Sequence, residues 1–368
     1  MTLFSSTKGL EEAKNPFWRF SNVEPPIRHN VLEKAKKRDI PEYVMLCAQL
    51  AAALEVSGWP KPGNVHRTKD FRETRFEHFL AGAVAMGPTM REAAVRGVKI
   101  GKGELDASAL GLGKLIRRAV HDIKLWHKGG NTHLGTCMLF TPLAAAAGRS
   151  VVDNRQIELT NLRRNVASVM ASTTPQDATD VYEAILMVSS ESELGRYEAE
   201  GAPDLYDPES RRKLLEGDIS LFDAMKTASG WDSIAKELVT GMRISFELGY
   251  PTLTKVFQET GDINVATVHT FLTILSKVPD TFIARKIGHE KSSNVRRAVG
   301  LGRMKITWLS KAAASILEKG GLTTEEGSEA AWALDRRLQE SGGDLNPGTT
   351  ADLTSASLMI GLLQGLRF

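Results

Sequence analysis

The chain has 368 residues, of which 42% are hydrophobic, and its 47 basic and 44 acidic residues leave a formal net charge of only +3. This near balance argues against a basic nucleic-acid-binding stripe or a membrane-binding surface. Residues 1–17 lack the apolar core of a leader peptide, and the apolar stretch 134–148 is too short to span a bilayer. We therefore expect a cytoplasmic protein with a sizeable core and neither a nucleic-acid nor a membrane partner, while the oligomeric state stays open.

Helical periodicity dominates the chain. The predicted helices cover 40–55, 74–98 (one or two helices, bent near 87–88), 112–126, 135–147, 155–170, 177–188, 219–228, 231–248, 265–275, 304–318, 325–340 and 351–366. No sustained alternating segment is bounded by hairpin turns. The sequence therefore predicts an all-α fold, a single large multi-helix globular domain over 36–368 with an irregular N-terminal arm over 1–35.

The first functional candidate is the junction at 55–67, Glu-Val-Ser-Gly-Trp-Pro-Lys-Pro-Gly-Asn-Val-His-Arg. Glu55 ends an apolar helix at its negative pole, where the helix dipole disfavours a carboxylate, so we interpret it as a functional residue. The two prolines stiffen the turn, and Gly63 allows a close approach of the backbone to a ligand. Because Lys61 and Arg67 add positive charge, the turn is predicted to bind an anion. The alternative is a proline-stiffened helix stop with a solvated glutamate.

Two more glycine-bearing turns precede apolar helices. They are 128–135 (Lys-Gly-Gly-Asn-Thr-His-Leu-Gly) and 346–352 (Asn-Pro-Gly-Thr-Thr-Ala-Asp). An asparagine or threonine in each is a candidate N-cap, and the free N–H groups at such helix ends bind phosphate. We predict that the turns at 58–67, 129–135 and 346–352 approach one another around one polyphosphate site.

Five motifs occur in a fixed order. They are Glu55 with Pro60-Lys-Pro-Gly63, Asp70, Gly130-Asn-Thr-His-x-Gly135 followed by four alanines, Asp280-Thr281, and Pro347-Gly-x-x-Ala-Asp-Leu353. Together, from about residue 45 to the C-terminus, they resemble the signature of the triphosphoribosyl-dephospho-CoA synthases. The resemblance implies an all-helical enzyme that takes ATP as ribosyl donor. Adenine leaves, and the 5-triphosphoribosyl group passes to a hydroxyl of dephospho-CoA.

Two motifs depart from the family pattern. Asp-Thr-Asn is replaced by Asp-Thr-Phe at 280–282, and Pro-Gly-Gly-Ser by Pro-Gly-Thr-Thr at 347–350. A second hypothesis is therefore phosphoribosyl transfer, from ATP or phosphoribosyl pyrophosphate, to another hydroxyl acceptor such as a methanopterin precursor. A third is a noncatalytic nucleotide- or RNA-binding helical protein, although the carboxylates beside the turns would repel a polyanion unless a metal intervened.

Cleavage of a ribosyl C1′–N bond passes through an oxocarbenium-like state, so the site needs a base, an arrangement that lets adenine leave neutral, and charges that offset the triphosphate. The predicted catalytic carboxylates are Glu55, Asp70 and Asp352, with Glu55 the first choice for general base. Asp70 and Asp280 are predicted ligands of Mg²⁺, which binds a few carboxylates together with substrate phosphates. The residues predicted to hold phosphate or ribose are Lys61, Gly63, Asn64, Arg67, Gly130, Asn131, Thr132, His133, Gly348 and Thr349.

Overall fold

The computed structural model describes residues 39–154, 157–197 and 201–368, so the predicted arm over 1–35 lies outside the described residues. Throughout these three segments the regular elements are helices and no strand is formed, which confirms the predicted all-α class. The helices are α1 (Ile40–Ser57), α2 (Phe76–Ala85), α3 (Gly87–Gly101), α4 (Leu112–Trp126), α5 (Leu134–Asn154), α6 (Leu159–Ala171), α7 (Pro175–Leu186), α8 (Glu191–Leu194), α9 (Ser210–Glu216), α10 (Leu221–Ala228), α11 (Ser233–Val239), α12 (Tyr250–Thr260), α13 (Ile263–Lys277), α14 (Thr281–His289), α15 (Val295–Lys305), α16 (Thr307–Glu318), α17 (Glu325–Gln339) and α18 (Gly348–Leu363).

Two hydrophobic clusters form the core. The larger contains α1 and α3 to α7, with Phe140 and Leu143 fully buried, and the smaller contains α13 to α17, with Phe271 fully buried. Burying each such side chain contributes about 1.5–3 kcal/mol. Helices α13 and α18 contribute residues to both clusters. The start of α18 therefore lies where the two halves of the core meet.

The alanine-rich helix α5 packs very closely on α3. A Cβ added at Gly97 of α3 would collide with the carbonyl oxygen of Ala145, and one added at Gly148 of α5 would collide with the carbonyl of Ala94. Small residues at these points let two helix backbones touch directly. The four alanines before Gly148 are thus explained by helix packing.

The region between 231 and 305 differs from the predicted helices. The helix predicted over 231–248 is interrupted: α11 ends at Val239, Gly241 and Met242 adopt left-handed φ angles of 62° and 55°, and a π-helical turn over Ser245–Gly249 then leads into α12. The buried carboxylate of Glu237 then accepts the Ser245 N–H at 2.9 Å, which holds the break in place. Three helices, α12, α14 and α15, were not predicted. Each begins at a local signal: a proline in the first turn of α12, and side-chain caps at the starts of α14 and α15.

One described helix, α1, meets the length and composition of a membrane span, with a mean hydropathy of 1.2 over its 18 residues. Half of α1 is buried inside the fold, where it packs against α3 and α18. Burial of this kind is typical of a core helix.

Candidate active site

The centre of the candidate site is a buried ion pair between Glu55 and Lys61. Glu55 lies in the last turn of α1 and Lys61 in the turn that follows, with exposed fractions of 4% and 0%. The Lys61 ammonium donates to the Glu55 carboxylate and, at 2.9 Å, to the Glu55 main-chain carbonyl. Burial raises the pKa of Glu55 and lowers that of Lys61, and the attraction between the two charges opposes both shifts. Lys61 therefore stabilises a carboxylate that the end of a helix disfavours.

The turn at 58–67 is anchored to α17 and to the turn before α18. Gly63, with a φ of 75°, donates its N–H to Asp335 at 3.0 Å, and His66 Nε2 lies 3.3 Å from the other Asp335 oxygen. Asn64 donates to the Asn346 side chain at 2.8 Å. Three residues predicted to meet the ligand, Lys61, Gly63 and Asn64, are thus engaged by protein groups. This arrangement favours a positioning role for them, and their contact with phosphate stays a prediction.

Trp59 closes the other side of the 58–67 turn. The side chain of Asn264 accepts the Trp59 N–H at 2.9 Å and donates to the Trp59 carbonyl at 2.8 Å, so α13 binds both main-chain polar groups of this residue. Arg67 lies over the Trp59 ring at 5.6 Å, and its Nε donates to the Ser57 carbonyl. Arg67 itself is exposed. Its remaining guanidinium N–H groups are available to a phosphate.

Asp352, in the first turns of α18, is the partly exposed carboxylate of the site. Thr136 of α5 donates to it at 2.6 Å, and a Cβ added at Gly135 would collide with its second oxygen. Burial raises the pKa of Asp352 to about 8, reinforced by the carboxylates of Glu55 and Asp280. The hydrogen bond from Thr136 opposes this shift. At neutral pH Asp352 is therefore largely protonated.

Asp280 is a fully bonded link between two helix N-termini. One oxygen caps α14, accepting the N–H groups of Phe282 at 2.9 Å and Ile283 at 3.0 Å. The other accepts both the N–H and the hydroxyl of Thr350 in α18, each at 2.8 Å. With four donors and 1% exposure, Asp280 has the environment of a structural capping residue. Its predicted role as a Mg²⁺ ligand is not favoured by this geometry.

The turn at 127–135, between α4 and α5, carries an exposed Gly130 and an exposed Asn131. Gly130 has a φ of 69°, and a Cβ at that position would meet open space. Asn131 accepts the Leu134 N–H at 3.1 Å, so it is the residue that caps α5. Behind them, Thr132 lies 2.9 Å from Nδ1 of the buried His133. Of the three turns, this one presents the most accessible backbone.

The remaining predicted residues lie around this centre. Asp70 is exposed, and its carboxylate accepts the Phe76 N–H at 2.8 Å at the start of α2. Gly348 donates its N–H to the Asn346 carbonyl at 2.8 Å, and the hydroxyl of Thr349 lies 3.4 Å from that of Thr281. In the described part of the chain, no three His, Cys, Asp or Glu side chains gather as a metal site. The three turns at 58–67, 129–135 and 346–352 do meet, as predicted: Asn64 bonds to Asn346, and Gly135 lies against the Asp352 carboxylate.

Four residues of this junction were missed by the sequence analysis: Thr136, Asp335, Thr350 and His127. Asp335 is the clearest case, because it falls in an ordinary amphipathic helix and its partner Gly63 is 272 positions away. No local pattern marks such a residue. Thr136, by contrast, directly follows the predicted turn at 129–135, and Thr350 lies within the predicted turn at 346–352, so both could have been found as hydroxyls at helix starts.

Two surface cavities lie away from the junction. One of about 400 Å³ is lined by Glu92 and Arg96 among others, and one of about 620 Å³ by Arg196 and Asp204 among others. Their arginines are paired: Arg96 with Glu92, and Arg196 with Asp204 at 3.3 Å. The chemistry of nucleotide binding is therefore better represented at the junction than in either cavity.

Comparison with known proteins agrees with this geometry. The profile of the ATP:dephospho-CoA triphosphoribosyl transferase family matches residues 41–367. The chain is similar to the 2-(5''-triphosphoribosyl)-3'-dephosphocoenzyme-A synthase of Klebsiella pneumoniae, at 23% identity over 318 residues, covering 86% of this chain and 89% of that one. It shares its fold with a candidate triphosphoribosyl-dephospho-CoA synthase from Archaeoglobus fulgidus, with a TM-score of 0.53, 23% identity, and coverage of 78% of this chain and 100% of that one. The chain therefore belongs to the ATP:dephospho-CoA triphosphoribosyl transferase family.

Proposed function

We propose that the chain transfers the 5-triphosphoribosyl group of ATP to a hydroxyl of dephospho-CoA with release of adenine. The observation that carries this proposal is Asp352, a partly exposed carboxyl with a raised pKa beside the buried Glu55–Lys61 pair. Two carboxyl groups whose surroundings differ in this way can divide acid and base roles. Because ATP is a cytoplasmic metabolite, we place the reaction in the cytoplasm.

In this proposal Asp352 acts as the acid. Adenine is a poor leaving group as an anion, so a proton delivered as the C1′–N bond breaks lets it depart neutral. With a pKa of about 8, Asp352 holds its proton at neutral pH, and no basic side chain of the described residues is bonded to it, whereas Glu55 is bound by Lys61. Glu55 remains the candidate base for the acceptor hydroxyl. Because Lys61 already occupies the Glu55 carboxylate, Asp352 is the better first choice for the group that meets the substrate.

The triphosphate would lie along the exposed side of the junction. The accessible backbone N–H groups at Gly130 and Asn131 can donate to phosphate oxygens, and the exposed Arg67 adds charge. Lys69 and Arg72 are also exposed, and none of these three basic side chains forms an ion pair within the described residues. Unpaired positive charge beside an open turn suits a polyanion.

Mg²⁺ is part of the proposal as a partner of the phosphates. Asp280 does not fit as a ligand because both of its oxygens are occupied by four donors. Asp70 fits, since it is exposed and only one of its oxygens is used to hold the Phe76 N–H. When bound, the ion would offset phosphate charge with Asp70 and the substrate as ligands.

One observation favours a second acceptor. Phe282 stands where the family has asparagine, its ring lies 3.5 Å from the Cβ position of Gly348, and Arg285 and Lys286 lie over the ring at 5.5 and 5.1 Å. An apolar ring flanked by two cations changes the surface beside α18 from the one that an asparagine would present. Another hydroxyl-bearing precursor, such as a methanopterin precursor, is therefore the alternative acceptor, and phosphoribosyl pyrophosphate the alternative donor.

The test is adenine release from ATP. The protein is incubated with ATP and Mg²⁺, alone and with dephospho-CoA or the alternative acceptor, and adenine and the adduct are quantified by mass spectrometry. Adenine formed in step with a triphosphoribosyl adduct of dephospho-CoA supports the proposal. An adduct formed only with the other acceptor assigns the alternative, and ATP hydrolysis without adenine rejects ribosyl transfer.

A further inference from the structure

Beside the carboxylates, three side chains form a hydrogen-bonded series that the proposed transfer does not use. The Gly129 N–H donates to His127 Nδ1 at 3.1 Å. His127 Nε2 lies 3.2 Å from the Thr132 hydroxyl, which in turn lies 2.9 Å from Nδ1 of His133. His127 is partly exposed and His133 is buried, so the series runs inward from the surface.

The backbone decides which nitrogens carry protons. A main-chain N–H can only donate, so His127 Nδ1 is an acceptor, and the neutral ring carries its proton on Nε2. That proton is directed to the Thr132 oxygen. Among the described residues the Thr132 hydroxyl is bonded only to these two rings, so its single proton has His133 Nδ1 as its acceptor. With Nδ1 accepting, the neutral His133 ring carries its proton on Nε2.

Packing holds this arrangement. The edge of Phe79 meets the His133 ring with centroids 5.3 Å apart, and a Cβ added at Gly82 would collide with the same ring. His78 stacks on His127 at 5.2 Å with an interplanar angle of 18°. Burial lowers the pKa of His133 to about 3, with further repulsion from His127 and Lys61, so the ring is neutral at physiological pH. The His133 ring is therefore enclosed by Phe79 and Gly82, and His127 is held by its stacking on His78.

We propose that His127, acting through Thr132, is a positioning residue that fixes His133 as a neutral Nε2–H donor for an anionic oxygen of the substrate. In this form His133 has no free lone pair, so it cannot serve as the base. A phosphate oxygen is the acceptor that suits such a donor in a triphosphate site. This substrate contact rests on the proposed function, whereas the tautomer of His133 does not.

The tautomer can be measured directly by ¹⁵N NMR of the full chain labelled at histidine. Subtracting the spectrum of His133→Asn identifies the His133 signals. Nδ1 is expected to resonate as a bare acceptor nitrogen and Nε2 as a protonated one. Thr132→Val, which replaces the hydroxyl by a methyl group, should mix the two tautomers, and Thr132→Ser should retain the wild-type form. A protonated Nδ1 in the wild type, or no change in Thr132→Val, would overturn the assignment.

Steady-state kinetics with ATP test the proposed contact between His133 and the substrate. His127→Phe keeps a ring to stack on His78 but cannot donate to Thr132, and it should raise the KM for ATP about tenfold, as expected for one misplaced hydrogen bond. The matched control is His121→Phe, at an exposed position of α4, which should leave KM unchanged. An unchanged KM in His127→Phe with an altered His133 tautomer rejects the contact. Because the NMR needs no turnover, failure of the proposed transfer would leave the tautomer result standing.

Discussion

The turns at 58–67 and 127–135 border the same junction but are held in opposite ways. The first is fastened from several directions: its backbone bonds to Asp335 and Asn264, and its lysine is fully buried. The second is held from behind by His127 and Thr132, while Gly130 projects into open space. Similar glycine-bearing sequences thus give one turn that supports the site and one that remains open to a ligand.

This difference teaches that positive charge in a turn does not by itself identify the phosphate contact. Lys61 lies between two prolines that precede a glycine, a sequence context that predicted phosphate binding. Its ammonium is nevertheless bonded to Glu55. Neutral, exposed backbone at Gly130 is better placed for an anion. We therefore expect substitutions around the 58–67 turn to change mainly stability, and substitutions on the open side of the junction to change mainly turnover.

The largest expected effect is on the open side, at Asp352. Asp352→Asn removes the proposed acid and should lower turnover about 10²–10⁴-fold with little change in ATP affinity. In the wild type, activity should fall as pH rises through about 8, because the acid must be protonated, and the variant should lose this limb. The measurement is the pH profile of adenine release.

Asp344→Asn is the matched control for that profile, since Asp344 lies just before α18 with 82% of its side chain exposed. It should keep both turnover and the alkaline limb. If Asp352→Asn kept near-normal turnover, Asp352 would be structural, and Glu55 would return as the first candidate for proton transfer.

On the fastened side, the expected effect is on stability. Glu55→Gln leaves the Lys61 ammonium buried without its counter-charge, and Lys61→Met does the same to the Glu55 carboxylate. Each substitution should lower the free energy of unfolding by about 3–5 kcal/mol. The double variant Glu55→Gln/Lys61→Met removes both charges and should be more stable than either single one. Urea unfolding of the four proteins measures this. Additive losses would show that the two side chains do not act as a pair.

The sequence was most informative where function and structure share one local pattern. The turn at 129–135 was predicted because it is rich in glycine and precedes a helix, and Glu55 and Asp352 because each lies beside such a turn at the end of a helix. Asp280 was predicted from the motif Asp280-Thr281 of the family resemblance, but four donors surround it in the fold. Whether all the hydrogen-bonding positions of a carboxylate are occupied depends on partners such as Thr350, which is 70 positions away from Asp280. Helical periodicity does not predict such distant partners. For the same reason Asp335 could not be predicted.

The next effect in size concerns acid stability. His133 has a pKa of about 3 in the fold against 6.5 for the free side chain, so unfolding takes up a proton below pH 6.5. The stability that this neutral histidine contributes is present above pH 6.5 and falls by about 1.4 kcal/mol per pH unit as pH drops towards 3. His133→Asn should show a shallower loss between pH 6.5 and 5. Equal slopes in urea titrations of variant and wild type would contradict a buried neutral His133.

The smallest expected effect tests the link between the fastened turn and α18. Asn64 and Asn346 share one side-chain hydrogen bond at 2.8 Å, which connects the turn at 58–67 to the residue before the α18 N-terminus. A double-mutant cycle with Asn64→Ala, Asn346→Ala and both together should give a coupling of about 0.5–1.5 kcal/mol, the usual net worth of one hydrogen bond. Because this bond connects the two regions without touching the proposed acid, turnover should change by only a few-fold. A coupling near zero would mean that Asp335 and Asn264 already hold the turn, whereas a large loss of turnover at normal stability would mean that Asn64 contacts the substrate, as the sequence predicted.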